Sequence, residues 1–260
     1  MRIAATIVAL SFAVRAETRA LPYQPVRDLT MTGAAGAAWL LSQIFERQLA
    51  PSACRWCDPP GFDSSFRDAL KWRDTGAAHG ASNVLAYGGM PLAALGVDLF
   101  VSGRDFEAVG IDALIALQSA FLAGLFDQGV KFLVGRERPF VHALDPSQKP
   151  LTDKPADNNV SFYSGHTSFT TAIAVSAGVC ASLRGDKDAW AVWATGLTLA
   201  LGTGYLRIAA DKHYASDVLV GALFGGLFGA GVPLLFHRPD KQPGASLSVG
   251  PQAFSVTGRF

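Results

Sequence analysis

The sequence predicts an all-α protein: a bundle of about six core helices, embedded in a membrane. Half of its 260 residues are hydrophobic, and its mean hydropathy is +0.25. Only 17% of the residues are charged, whereas about 25% is typical of soluble domains. The net charge of +1 shows no basic excess of the kind that nucleic-acid binding requires. These observations favour one membrane-associated domain, and no nucleic-acid partner is expected.

Five long apolar runs make up the predicted core. Each is long enough to be a membrane-spanning helix, and the small residues between Gly221 and Gly229 suit close helix contacts in a bilayer. A large soluble bundle with buried helices is the alternative. Asp98, Asp112 and Asp127 favour this alternative, because an ionised carboxylate at the bilayer centre costs about 2.5–3.5 kcal/mol. The five runs are residues 83–101, 109–134, 167–183, 189–206 and 218–236.

The first sixteen residues, 1–16, are predicted to be a secretory signal. Arg2 forms a short basic start, residues 3–14 are apolar, and Val14, Arg15 and Ala16 form a small-x-small cleavage site. These twelve apolar residues are too few to cross a bilayer, which takes about 20. A short amphipathic or disordered start is the alternative.

Residues 17–80 are predicted to be a helical and turn-rich extension of the core. Residues 29–45 are rich in glycine and alanine, and we expect a helix there with Asp28 as its cap. Residues 64–72 are predicted to form an amphipathic helix.

The cysteines suggest a disulfide rather than a metal site. Cys54 and Cys57 have a spacing that zinc sites use, but no second pair of ligands is evident. In an exported chain we expect a local disulfide, and a free pair is the alternative. Cys180 lies in an apolar helix and is expected to serve packing only.

The core is predicted to span residues 81–237 and to be followed by a tail, residues 238–260. Residues 246–249 and 254–256 alternate polar and apolar side chains around a turn at Gly250 and Pro251. This pattern is typical of a small β-hairpin, and a flexible tail is the alternative.

Three short segments carry the residues that indicate chemistry: residues 131–139, 163–167 and 207–217. Arginine forks match phosphate oxygens, lysine adds a point charge, and free N–H groups before a helix near His166 point at an anion. The three segments therefore predict a pocket for a phosphoryl group, and this set of residues needs no metal and no cofactor. The phosphate-binding residues are predicted to be Lys131, Arg138, Ser164, Gly165 and Arg207.

Two histidines and a carboxylate are predicted to carry the reaction. His213 and Asp217 are spaced i,i+4, so they share one face if this stretch is helical. Asp217 would then hold one ring nitrogen of His213 and leave the other free to attack phosphorus. His166 is the remaining candidate for the general acid that protonates the leaving oxygen.

These segments resemble the three motifs of the type 2 phosphatidic acid phosphatase (PAP2) superfamily: K-x6-R-P, P-S-G-H and S-R-x5-H-x3-D. The first motif is complete, while Tyr163 stands in place of proline and Leu206 in place of serine. Both departures fall on supporting positions. The resemblance covers residues 82–237. It implies a PAP2/haloperoxidase-like bundle, His213 as the nucleophile, and a lipid phosphate or diphosphate as the substrate.

We therefore expect a metal-independent phosphatase that hydrolyses a phosphate monoester or diphosphate through a phosphohistidine. The resemblance implies that this substrate is a lipid. The expected location is the inner membrane of a bacterial cell envelope, with the active site facing the periplasm. A soluble periplasmic phosphatase of broad specificity shares the three motifs and is one alternative. A vanadium-dependent haloperoxidase uses the same residue types and is another, although such chains are usually longer.

The side of the membrane depends on the number of spans. If the signal is cleaved, five spans place all three motifs outside, and a sixth span at residues 29–45 would invert this. We therefore predict that this helix is peripheral or re-entrant, or that the chain is soluble.

Other polar residues near the motifs are given no catalytic role. Four are predicted to be rim charges, Arg136, Glu137, Asp211 and Lys212, and three histidines lack partners at useful spacing, His79, His142 and His237.

Overall fold

The computed structural model describes residues 19–101, 103, 106–239, 246–250 and 253–257. The predicted signal, residues 1–16, lies outside the described residues. Besides the α-helices, the described residues include a π turn, Leu85–Gly89, and two 3-10 turns, Lys149–Leu151 and Pro155–Asn159. The helices are α1 Pro25–Ile44, α2 Glu46–Leu49, α3 Gly61–Leu70, α4 Thr75–Val84, α5 Met90–Val101, α6 Phe106–Val134, α7 Pro139–His142, α8 Gly165–Arg184, α9 Ala189–Ala209 and α10 Ala215–Phe236.

Six long helical segments form the bundle within the described residues: α1, the continuous α4–α5, α6, α8, α9 and α10. The predicted all-α fold with about six core helices is confirmed. Helix α8 lies at the centre, packed against α6, α9 and α10, and is buried along most of its length. Since α8 starts in the second motif and α10 in the third, their packing brings these motifs together.

Small residues allow α10 to lie directly against α8. Gly221, Gly225 and Gly229 are buried at every fourth position of α10. A methyl group at Gly221 would lie 2.7 Å from the carbonyl oxygen of Ser164. Only glycine therefore fits this contact, which fixes the backbone just before α8 against the start of α10.

Helix α1 differs from the prediction at its start. Its N-cap is Gln24, and Asp28 lies in the first turn, where its Oδ2 accepts a hydrogen bond of 2.8 Å from the Gln24 backbone N–H. It runs as one continuous helix for 20 residues, or about 30 Å. It packs along α6, with Trp39 stacked on Phe121.

The first and last helices of the bundle meet at the same end. A ring nitrogen of His237, which follows α10, lies 2.9 Å from the carbonyl oxygen of Pro22, which precedes α1. His237 was predicted to lack a partner, but it is buried between these two segments. The start of α1 therefore lies at the opposite end of the bundle from the start of α10.

Three helical segments are long and apolar enough to cross a membrane: Thr75–Val101, Phe106–Val134 and Ala215–Phe236. Helices α8 and α9, which match the other two predicted runs, are less apolar than these three. Large apolar side chains cover the outer faces of the bundle, and several are more than 70% exposed: Leu92, Phe100, Leu133, Leu201 and Leu235. Such a surface suits contact with lipid.

The aspartates that favoured a soluble bundle are buried within the protein. Both carboxylate oxygens of Asp112 accept hydrogen bonds of 2.8 Å from Arg184. Asp127 pairs with Lys131 at 2.7 Å, and Asp98 is 5% exposed. Because charged groups that face the bundle interior and pair with one another are compatible with a bilayer, these residues do not oppose a membrane location.

Two expected short features are present. Cys54 and Cys57 form a disulfide, and the loop that contains it lies beside the first motif, with the Arg55 backbone N–H donating to the Gly135 carbonyl at 2.8 Å. Strands β1 (Ser246–Gly250) and β2 (Ala253–Thr257) pair as an antiparallel hairpin.

Candidate active site

A cavity of about 400 Å³ opens at the end of the bundle where α1 and α6 end and where α8 and α10 begin. Ser164 and Asp217 are fully buried behind its wall. The three motifs, distant along the chain, therefore meet at one hollow of a size that fits a phosphoryl group. The predicted site residues that line it are Lys131, Arg138, Gly165, His166, Arg207 and His213.

The neighbours of His213 determine its tautomer. Its Nδ1 lies 2.8 Å from the Ser161 carbonyl oxygen, which can only accept, so Nδ1 carries the proton. Its Nε2 lies 3.2 Å from Nη1 of Arg138, which can only donate, so Nε2 holds the lone pair. Burial, and then the charges of Arg138, Arg207 and Lys131, lower the pKa of His213 well below 6.5. A neutral imidazole with its lone pair on Nε2 is the form that a nucleophile requires.

Asp217 does not share a helix face with His213, because α10 starts only at Ala215. Its Oδ2 lies 3.5 Å from Nδ1 of His213, farther than the Ser161 carbonyl oxygen. Instead, Oδ2 accepts from the Ser161 hydroxyl at 2.6 Å and from the Tyr214 backbone N–H at 3.0 Å. Asp217 therefore caps α10 and holds the residue whose carbonyl orients His213.

Arg136 is not a rim charge but the centre of a buried ion-pair network. Its guanidinium donates to Asp217 through Nη1 and to Asp63 of α3 through Nη2, the latter at 2.6 Å. Its Cζ atom lies 3.8 Å from the ring centroid of Trp56 and 4.3 Å from that of Tyr214. This network ties α3 and the disulfide loop to the third motif.

Two more of the predicted rim charges are also buried. Glu137 is 3% exposed and accepts a hydrogen bond of 2.8 Å from Lys149. Asp211, also 3% exposed, accepts two hydrogen bonds from Arg67 of α3, at 2.6 and 2.7 Å. Lys212 is half-buried and lines the cavity. The first two charges support the loops under the site and do not form its mouth.

Arg138 is held by Asp157, a residue that the sequence analysis missed. Its Nη2 donates to the Asp157 carboxylate and its Nε to the Asp157 carbonyl at 2.8 Å, while Nη1 donates to the Lys212 carbonyl at 2.8 Å. Burial raises the pKa of Asp157, but Arg138 more than offsets this, and the net pKa is lowered. The charged carboxylate fixes the guanidinium beside His213.

His166, the second residue of α8, is positioned by a helix outside the three motifs. Its Nε2 lies 2.7 Å from Oδ1 of Asn83 in α4. The ring of Tyr87, one turn further along the same helical segment, lies 4.9 Å from the His166 ring, measured between centroids. One nitrogen of His166 is thus engaged, and the other is left for chemistry.

Arg207 contacts α4 as well. Its Nη1 lies 3.0 Å from Nδ1 of His79 and donates to the Ser82 hydroxyl at 3.1 Å. Its buried Nε has no hydrogen-bond partner in the described part of the chain. His79 was predicted to lack partners, but it lines the cavity beside Arg207. The free Nε is a donor available to an anion in the cavity.

Lys131 and the glycine of the second motif meet at Asp127. Lys131 pairs with Asp127 one helical turn before it, at 2.7 Å. A methyl group at Gly165 would lie 2.6 Å from Oδ2 of Asp127 and 3.0 Å from Nζ of Lys131. The ion pair therefore approaches the backbone of α8 closely, and a side chain at position 165 would have to displace it. Ser164 is not at the cavity surface: its hydroxyl lies 2.9 Å from that of Thr167.

Four polar residues of the site were missed by sequence analysis. Asp127 lies four residues before Lys131, and His79 and Asn83 are also four apart, so helical spacing offered a weak signal for these three. Asp157 lies in the long link between the first two motifs, where no periodic pattern exists. His142, in contrast, lies 3.3 Å from Glu137 and does not line the cavity.

The model of the PAP2 superfamily matches residues 112–241, which is half of the chain and contains all three motifs. The chain belongs to the PAP2 superfamily. The PAP2 match starts after α4, so His79, Ser82 and Asn83 lie outside it. Tyr163 and Leu206, which depart from the PAP2 motifs, are not among the residues that line the cavity.

Two known proteins are similar to this PAP2 chain. Human phospholipid phosphatase 2 is 35% identical over an aligned length of 126 residues, and the match covers 38% of this chain and 42% of the human protein. The match thus spans less than half of that relative. The crystal structure of a transmembrane PAP2-type phosphatidylglycerolphosphate phosphatase from Bacillus subtilis has a TM-score of 0.45 and 17% identity. That comparison covers 81% of this chain and 94% of the Bacillus chain.

Proposed function

We propose that this PAP2 protein is a metal-independent phosphatase that hydrolyses a lipid phosphate monoester or diphosphate through a phosphohistidine on His213. The observation that carries the proposal is the hydrogen bonding of His213. A carbonyl acceptor at Nδ1 and a guanidinium donor at Nε2 give the ring one tautomer, with its lone pair on the nitrogen beside the phosphate-binding arginine. The same carbonyl can stabilise the positive charge that develops on the ring during attack.

In the first step, Nε2 of His213 attacks phosphorus and the bond between phosphorus and the leaving oxygen breaks. His166, which enters this step protonated on both ring nitrogens, donates the proton of Nδ1 to that oxygen, so the alcohol or phosphate leaves in protonated form. Lys131, Arg138 and Arg207 offset the negative charge on the three equatorial oxygens. The free Nε of Arg207 is one donor that an equatorial oxygen can engage.

In the second step, water attacks the phosphohistidine and the N–P bond breaks. His166, now neutral, accepts a proton from the water, and inorganic phosphate leaves the cavity. Nε2 of His213 regains its lone pair. Each histidine thereby returns to its starting state, and the reaction consumes one water molecule.

The surface and the cavity support a lipid substrate. The outer faces of three membrane-capable helices are apolar. The cavity wall includes the aromatic rings of Trp39, Tyr87 and Phe169 next to its charged residues. A phosphorylated headgroup would bind the charged part while the adjoining apolar chain contacts these rings. A protein named phospholipid phosphatase is also among the relatives.

Phosphate release by the purified, detergent-solubilised protein tests the activity. A lipid phosphate, an isoprenyl diphosphate and p-nitrophenyl phosphate would be compared in excess chelator. We expect turnover with chelator present and higher kcat/KM for the lipid substrates. His213→Ala should abolish turnover, whereas His142→Ala, outside the cavity, should retain it. Normal turnover by His213→Ala would refute the proposed nucleophile.

The covalent intermediate requires a separate experiment. Rapid acid-free quenching during turnover of a ³²P-labelled substrate should yield a label on the protein that is stable to alkali and lost in acid, as expected of phosphohistidine. The label should be absent from His213→Ala. An active wild-type protein that never acquires this label would argue for direct attack by water.

We also propose that the site faces the periplasm. The disulfide of Cys54 and Cys57 lies at the site end of the bundle, and disulfides persist in oxidising compartments. This orientation starts α1 on the cytoplasmic side, opposite to the start that a cleaved signal would give. The topology can be tested with Asp145→Cys and Lys187→Cys, both exposed, at the site end and the opposite end respectively. An impermeant maleimide on intact cells should label only the first, and labelling of only the second would reverse the orientation.

A further inference from the structure

One face of α4 is directed at the active site. His79, Ser82 and Asn83 are spaced i, i+3 and i+4, so they lie on the same side of the helix. None belongs to a PAP2 motif, and all three lie outside the matched residues 112–241. Each nevertheless contacts a residue that lines the cavity. His79 and Ser82 contact Arg207, and Asn83 contacts His166.

Two of these residues hold one end of the Arg207 guanidinium. The Ser82 hydroxyl donates to the His79 backbone carbonyl at 2.8 Å, which leaves its lone pairs to accept from Nη1 of Arg207 at 3.1 Å. Nδ1 of His79 lies 3.0 Å from the same Nη1 and accepts from it, because a guanidinium only donates. With Nη1 occupied, the unpartnered Nε is available to a phosphate oxygen.

The third residue holds His166. Oδ1 of Asn83 lies 2.7 Å from Nε2 of His166, so a protonated Nε2 donates to the amide oxygen. This contact leaves Nδ1 as the nitrogen available to the leaving oxygen. The Asn83 amide nitrogen lies 3.4 Å from Nε2 of His79, but both nitrogens carry protons when Nδ1 of His79 accepts from Arg207, so this approach is a contact and not a hydrogen bond.

We infer that α4 supplies positioning residues for the two reacting ends of the substrate: Asn83 orients His166 towards the leaving group, and Ser82 with His79 orients Arg207 towards the phosphoryl oxygens. This inference rests on the proposed function. It predicts two effects that can be measured separately. Loss of an oriented general acid lowers the rate for substrates whose leaving group needs a proton, whereas loss of an oriented arginine weakens phosphate binding.

Leaving-group dependence tests the role of Asn83. A 2,4-dinitrophenyl ester has a leaving group that departs without protonation, whereas an alkyl phosphate needs the acid. General acid catalysis typically contributes about 10²–10⁴-fold. We therefore expect Asn83→Ala to lower kcat/KM for the alkyl ester at least about tenfold more than for the dinitrophenyl ester. Asn83→Asp, which keeps an acceptor oxygen, should recover most of that loss.

Product inhibition tests the role of Ser82. Ser82→Ala should raise the inhibition constant for inorganic phosphate about threefold or more, and should lower kcat/KM for both esters by the same factor. Asn83→Ala should leave that inhibition constant near the wild-type value. Val84→Ala is the matched control, because Val84 is 73% exposed on the same helix and should behave as wild type.

The outcomes separate this inference from the proposed function. If the wild-type protein hydrolyses neither ester, the proposed function fails. If the wild-type protein is active but Asn83→Ala slows both esters equally, or Ser82→Ala binds phosphate normally, the positioning roles are refuted. A loss of folded protein would lower the rates with both esters alike and would leave the inhibition constant for phosphate unchanged. Neither the ester-dependent loss in Asn83→Ala nor the raised inhibition constant in Ser82→Ala can therefore arise from a merely structural role.

Discussion

Exchange of Gly221 for alanine should disturb the contact that joins the second and third motifs. The new methyl group would lie 2.7 Å from the Ser164 carbonyl oxygen and 3.4 Å from Cβ of Thr167. The first distance is too short for any real pair of such atoms, and the obstacle is backbone, which cannot rotate away. Helix α10 must therefore move from the start of α8, or the loop before α8 must shift.

Gly226 of the same helix provides the matched control, because a methyl group there would meet nothing within 4 Å. Both exchanges gain about 1 kcal/mol of helix propensity, so this gain cancels in the comparison. Overpacking of a tight contact typically costs about 1–3 kcal/mol. The free energy of unfolding of Gly221→Ala should thus be lower than that of Gly226→Ala by about 1–3 kcal/mol.

Thermal unfolding in detergent measures this difference. For a chain of this size, each kcal/mol changes Tm by roughly 2–4 °C, so Gly221→Ala should melt roughly 2–12 °C below Gly226→Ala. Because Ser164 immediately precedes Gly165 and His166, kcat/KM should fall in Gly221→Ala and remain unchanged in Gly226→Ala. Equal Tm values for the two variants would show that α8 and α10 do not approach as closely as described.

Three further predictions concern charge and covalent structure. His213 attacks in its neutral form, and burial with nearby cations lowers its pKa well below 6.5, so the limb of the kcat/KM profile that falls with decreasing pH should lie well below pH 6.5. Arg138→Gln removes one of these cations and should move this acidic limb to higher pH, and an unmoved limb would assign it to another group. Arg136→Ala should destabilise the protein by about 3–5 kcal/mol, because Asp63 and Asp217 lose their buried partner. A Tm equal to that of the wild-type protein would contradict this ion-pair network. Thiol titration of the denatured protein should give one thiol before reduction and three after it, and three thiols before reduction would exclude the disulfide.

The helices and the convergence of the motifs could be predicted because both depend on local signals. Apolar runs of about the length needed to cross a bilayer can satisfy their backbone hydrogen bonds locally by forming helices. Each motif lies at the end of one of these runs. If these ends lie on the same side of the bundle, Arg138, His166 and His213 lie at that side together. Neither step requires knowledge of which helices are neighbours.

The roles of individual charges in the loops could not be predicted in the same way. Arg136 and Arg138 lie two residues apart in an irregular segment, where no period assigns one side chain to the core and the other to the cavity. The structure places Arg138 beside His213 and Arg136 between Trp56 and Tyr214. Their separation depends on Asp157 and Asp63, which come from distant parts of the chain.

The contribution of α4 depends on a still less local feature. The π turn Leu85–Gly89 interrupts the α-helical hydrogen bonding between α4 and α5, and such turns often occur at functional sites. A π turn changes the register of the helix, so α5 need not continue the face that His79, Ser82 and Asn83 present to the site. Leu92 and Phe100 of α5 are accordingly exposed on the outer surface, while Asn83 contacts His166. The sequence analysis treated residues 83–101 as one apolar helix of uniform period. For this reason it gave no role in the site to the polar residues at the start of the run.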